Sequence, residues 1–167
     1  GSGCTLSASG TITEPTALGC ICNASVTNVS CNGGSNGSVT AQPLGGTAPY
    51  SYLWSNGAVT QTINNLTACT YTVTITDANG CTKVGTARVT QPNQLYVFIN
   101  GTNPTCNGAT SGQATSIAAG GTGPYSFSWN TVPVQTNSIA TGLGVGSYTV
   151  QITDANGCTA TASVTLT

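Results

Sequence analysis

Apolar and polar positions alternate along this chain in short runs. Tyr71–Thr76 reads Tyr-Thr-Val-Thr-Ile-Thr and Tyr148–Thr153 reads Tyr-Thr-Val-Gln-Ile-Thr, so every second side chain is apolar. A period of two is that of a half-buried β-strand, and the β-branched and aromatic residues filling it fit a pleated surface. Similar runs cover Leu95–Ile99, Gln113–Ala118, Tyr125–Trp129 and Thr159–Leu166, with counterparts in the first half. No helical period appears. Turn formers punctuate the runs: Gly-Gly-Thr-x-Pro at 45–49 and 120–124, and Asp-Ala-Asn-Gly at 77–80 and 154–157. Six or seven short, evenly spaced strands predict a two-sheet sandwich.

The chain repeats itself. Cys31–Trp54 returns without a gap as Cys106–Trp129, and Tyr71–Thr82 returns as Tyr148–Thr159 after a two-residue insertion that belongs in a loop. Gly3–Pro15 matches Gly80–Pro92, which makes 1–14 the closing strand of a preceding repeat, or an orphan strand. The Glu-Pro and Gln-Pro dipeptides then mark the boundaries. The expectation is all-β, with tandem immunoglobulin-like sandwich modules at 15–91 and 92–167. Trp54 and Trp129 fall on the third strand run, where such a sandwich buries its central indole. Tyr71 and Tyr148 begin the penultimate strand, as in a tyrosine corner, and all four are assigned to the core.

Composition narrows the function. Charged residues make up 3% of the 167, against about a quarter in ordinary domains. With two basic residues and a net charge of −1 there is no patch to neutralise phosphates, which argues against nucleic-acid partners. No apolar run approaches the ~20 residues of a membrane span, so no membrane insertion is expected. No leader-like segment opens the chain, and an export signal is expected to have been removed or to lie upstream. Without histidine, and with only Glu14, Asp77 and Asp154 as carboxylates, the material for a triad, an acid/base pair or a catalytic metal is missing. An enzyme is not expected, nor a cofactor. Asp77 with Asn79, or Asp154 with Asn156, could offer oxygens to calcium, but that ion wants six to eight, and a plain hairpin turn is the preferred reading.

In combination, CNGxxxG, GGTxPYSxxW, a GxYTV strand and TDANGCT resemble the SprB-type repeat of very large surface adhesins in gliding and other Bacteroidetes-like bacteria. The resemblance spans nearly the whole chain. It implies export to the cell surface, tandem arrays, and an adhesive or structural role as a stalk or filament subunit. Partners would be other copies or adjacent repeats, with surface polysaccharide as a further candidate.

Eight cysteines in a chain without histidine read as disulfides of an oxidising compartment. The simplest scheme pairs Cys31 with Cys81 and Cys106 with Cys158, each within its repeat. An ordinary immunoglobulin strand order places those two loops at opposite ends, which favours bonds between adjacent modules or subunits, such as Cys31 to Cys158. Cys4, Cys20, Cys22 and Cys69 form an even set that could tie the N-terminal strand to the first module or to a neighbour.

Sheet edges here lack the lysines and glutamates that normally prevent pairing with other chains, which suggests surfaces meant to be covered. The rival reading is a carbohydrate-binding module of a secreted hydrolase, with Tyr50, Tyr52, Tyr125 or Phe127 as a stacking row.

Overall fold

The computed structural model describes residues 14–21, 25–106 and 108–167. The expected strand at 1–14, with Cys4, and the thiol of Cys22 lie outside the described residues, Glu14 excepted. Among the described residues there is no helix. Strands β1 (Gly19–Ile21), β2 (Val26–Thr27), β3 (Gly37–Thr40), β4 (Gln42–Leu44), β5 (Ser51–Trp54), β6 (Thr62–Leu66), β7 (Thr70–Thr76) and β8 (Thr82–Arg88) lie in the first repeat. The second holds β9 (Tyr96–Thr102), β10 (Gly112–Ala119), β11 (Ser126–Trp129), β12 (Ile139–Leu143), β13 (Gly146–Thr153) and β14 (Thr159–Leu166). They form three-stranded sheets β2-β3-β6, β5-β7-β8, β12-β10-β9 and β11-β13-β14, with a two-stranded β1-β4 ribbon. The fold class is the expected one, all-β and immunoglobulin-like.

The chain divides into two compact units. One takes the described residues up to Ser25 with Val39–Ile63 and Tyr71–Ala87, and the other takes Val26–Ser38, Asn64–Thr70 and Arg88–Thr167. In the first, alternate residues of each strand are withdrawn from water: Val39 and Ala41, then Tyr71, Val73 and Ile75, with Trp54, Ile63 and Ala87. In the second, Ala114, Trp129, Ala140, Leu143, Val150, Ile152 and Leu166 form the core, and Val97, Ile99, Phe127 and Val164 pack against it. Its two sheets meet where β9 lies against β14. At that crossing Gly101 faces Leu166 and Val164 so closely that an added Cβ would stand 2.5 Å from a leucine methyl. A methyl group there would force the Leu166 and Val164 side chains to shift, so glycine suits the close approach of the two sheets.

Strand β12 is absent from the strand runs read in the sequence. Its buried positions are a small alanine and a leucine, Ala140 and Leu143, around a glycine at φ 71°, and so short a stretch carries little apolar signal.

Candidate functional site

The two turn motifs, separate in sequence, are one structure. Asp154 Oδ1 accepts the backbone N–H groups of Asn156 and Cys158, both at 2.9 Å. Its Oδ2 accepts the N–H of Thr122 in the Gly-Gly-Thr turn, also at 2.9 Å. Asp77 does the same in the first repeat, taking Asn79 at 2.9 Å, Cys81 at 2.8 Å and Thr47 at 3.0 Å. Asn156 and Asn79 add side-chain bonds to the Thr122 and Thr47 hydroxyls at 3.1 and 2.9 Å. Each aspartate thus fixes its own hairpin and pins a second loop to it, a side chain replacing backbone partners that a turn cannot supply. Gly121, at φ 60°, lets the backbone come this close: a Cβ there would lie 2.8 Å from Asp154 Oδ2. Oxygens so occupied by N–H donors are placed for amides rather than for a cation. Among the described residues no group of acidic, cysteine or histidine side chains is gathered for a metal.

These bonds hold both carboxyls below their ordinary range. For Asp77 the amide of Thr47 has the largest effect, opposed by burial and reinforced by Cys81 and Asn79. For Asp154 burial pushes upward, and the amides of Thr122, Cys158, Asn156 and Gly157 outweigh it. A carboxyl depressed on folding contributes stability that is present above its unfolded value, ~4, and is lost as the pH falls through the lower folded value. Melting temperature should therefore stay level from about pH 7 to 5 and drop below about pH 4. The Asp77→Asn/Asp154→Asn double variant should melt lower at neutral pH and lose much of that acid dependence. Identical pH profiles for variant and parent would show that the two aspartates do not govern acid stability.

One disulfide among the described residues joins Cys31 to Cys158, with Cα atoms 5.7 Å apart. It corrects the simplest scheme: Cys31 does not pair with Cys81, nor Cys106 with Cys158. Cys69, Cys81 and Cys106 are exposed free thiols, while Cys20 is disulfide-bonded. The reason is where the loop after β2 sits. Val29 donates to the Thr90 carbonyl at 2.9 Å and Asn28 accepts from the Thr90 N–H at 2.9 Å. Asn32 donates to the Pro92 carbonyl at 3.1 Å and Gly33 to Gln91 at 2.9 Å. That loop therefore lies against the segment leading into the second repeat. There the Asp154 hairpin reaches it, and Asn156 Nδ2 bonds the Ser30 carbonyl at 3.0 Å. All of this falls within the second compact unit.

Trp54 and Trp129 are 2% and 1% exposed. Their indole N–H groups donate to the Thr60 and Asn137 carbonyls, both at 2.8 Å. Tyr71 is buried, and the Tyr148 hydroxyl donates to the Gly144 carbonyl four residues back at 3.2 Å.

The aromatics named for sugar stacking are held by the fold. Tyr50, Tyr52, Tyr125 and Phe127 are half-buried, and the last two pack on the core. The Tyr50 and Tyr125 hydroxyls donate to the Gly45 and Gly120 carbonyls at 2.7 and 2.6 Å. The exposed aromatics are instead Tyr96 and Phe98 on β9, 52% and 59% exposed, with Phe98 directly opposite the equally exposed Ile117 of β10. Alternation does not single them out, because Tyr96 and Phe98 interleave with the inward Val97 and Ile99, giving a run with no polar phase.

A family model described as the SprB repeat matches residues 23–59 and 99–134. No curated protein matches the chain. Similar solved structures include a Dscam chain studied for isoform specificity (TM-score 0.38, 16% identity, 93% of this chain and 47% of that one). An amphioxus IgVJ-C2 molecule gives a TM-score of 0.37 at 14% identity, over 93% and 98% of the two chains. Murine CEACAM1b gives 0.35 at 21%, over 92% and 85%. The present chain spans about half the length of the first of these.

Proposed function

We propose, from the match of the SprB repeat model to residues 23–59 and 99–134, that the chain is a non-catalytic structural segment of an extracellular, cell-surface array. In this reading the repeats span 15–91 and 92–167, residues 1–14 supply a closing strand, and the chain acts as a disulfide-supported stalk. The observation that carries it is the Cys31–Cys158 bond, which ties the opening loop of one sequence repeat to the closing hairpin of the next. A covalent tie placed there locks residues of both sequence repeats into the second compact unit, which suits a stalk built from successive repeats. The apolar face formed by Tyr96, Phe98 and Ile117 and the sparse charge support contact with other copies or adjacent repeats.

Antibody raised against the folded chain should label intact cells of the organism that makes it, and surface proteolysis should remove the signal. Labelling that appears only after permeabilisation would sink this reading.

A further inference from the structure

Both halves of the Cys31–Cys158 joint occur a second time in the chain, and there they stand unpaired. Cys106 occupies the place in the second repeat that Cys31 holds in the first, and Cys81 the place that Cys158 holds. Both thiols are free and exposed.

The described residues of the loop carrying Cys106 make the same hydrogen bonds as those of the loop carrying Cys31. The Cys106 carbonyl accepts from Ala109 at 3.0 Å, as that of Cys31 does from Gly34 at 3.0 Å. Thr105 N–H donates to Ser111 at 3.0 Å, matching Ser30 N–H to Asn36 at 3.0 Å. Asn103 accepts from Thr167 at 3.0 Å, matching Asn28 with Thr90 at 2.9 Å. The hairpin carrying Cys81 is likewise fixed by Asp77 as that of Cys158 is by Asp154. Cys106 also borders a recess of about 240 Å³ with Pro104, Val145 and Thr167, and Val145 is 61% exposed.

We propose that Cys106 of one copy forms a disulfide with Cys81 of the next, reproducing the Cys31–Cys158 joint between chains. The partner is a second copy of this chain, and the proposal rests on the array reading above. Asn79 of the incoming copy would donate to the Thr105 carbonyl, as Asn156 does to that of Ser30. The two surfaces differ, so the contact is head-to-tail, leaves one thiol free at each end, and propagates into a covalent filament. Bond formation removes two electrons and two protons from the thiols. A disulfide oxidant takes them and leaves as two thiols.

The test uses the full chain with Cys31–Cys158 formed and Cys81 and Cys106 reduced, exposed to oxidised glutathione and resolved on non-reducing gels. A ladder of multimers that collapses on reduction is expected, with a Cys106–Cys81 peptide in the digest. Cys81→Ser and Cys106→Ser should each remain monomeric alone, and their mixture should stop at dimer. Cys69→Ser should still form the ladder. Retention of the Cys31–Cys158 peptide and an unchanged melt in each serine variant exclude misfolding as the cause. Persistent monomer, an intrachain Cys81–Cys106 bond, or symmetric Cys81–Cys81 or Cys106–Cys106 links would overturn the proposal. Surface labelling that survives such a result would leave the array reading standing and remove only this joint.

Discussion

Replacing Cys31 and Cys158 together by serine should lower the stability of the second compact unit by about 5 kcal/mol, the chain-entropy value for so long a closed loop. The two cysteines are 127 residues apart, so in the unfolded chain the bond forbids a very large set of conformations. In the folded chain the same junction is otherwise held by hydrogen bonds: Val29 to Thr90, Thr90 to Asn28, Asn156 to Ser30, Asn32 to Pro92 and Gly33 to Gln91. Exposed hydrogen bonds of this kind contribute on the order of 1 kcal/mol each. The disulfide therefore outweighs any one of the polar contacts beside it. Urea unfolding of the oxidised parent against the Cys31→Ser/Cys158→Ser variant measures its contribution, and amide exchange at Ser30 to Gly34 should quicken with the mutation. A loss under about 1 kcal/mol would mean that the polar contacts hold the junction and that the bond adds little to its strength.

The repeat and the alternation of apolar residues carried most of the fold. Tyr71–Thr76 and Tyr148–Thr153 could hardly be anything but strands, and β7 and β13 include them entirely. What alternation does not contain is the path of the chain between strands. The pairing of Cys31 depends on which loops share an end, and that depends on the Asn28, Val29, Asn32 and Gly33 contacts with residues 90–92. None of those residues is unusual in so Asn- and Gly-rich a chain. The aspartates show the same limit. Asp-Ala-Asn-Gly and Gly-Gly-Thr each announce a turn, but nothing in either says that one carboxylate will serve both. That fact appears only when Thr122 lies 2.9 Å from Asp154. Local chemistry is read from short windows, whereas a side chain shared by distant loops needs the sheet register that brings them together.

Truncating Trp129 to alanine should cost about 4 kcal/mol, in the range for deleting a buried indole, and the effect should centre on the core formed by β10, β12, β13 and β14. The side chain is 1% exposed and sits among Ala114, Ala140, Val150 and Ile152, small and branched residues that cannot collapse far into the space it leaves. Its loss also removes the indole hydrogen bond to the Asn137 carbonyl at 2.8 Å, so cavity and lost bond add in the same direction. Trp129→Phe separates the two, since phenylalanine refills part of the volume but returns no donor. Because the chain has only two tryptophans, fluorescence of Trp129→Ala reports Trp54 alone. Hydrogen exchange across β11, β13 and β14 should then rise sharply while Trp54 keeps its native emission, if each sandwich core is a separate cooperative element. Simultaneous exposure of Trp54 would show instead that the chain unfolds as one body, and a stalk built from it would yield all at once rather than one repeat at a time.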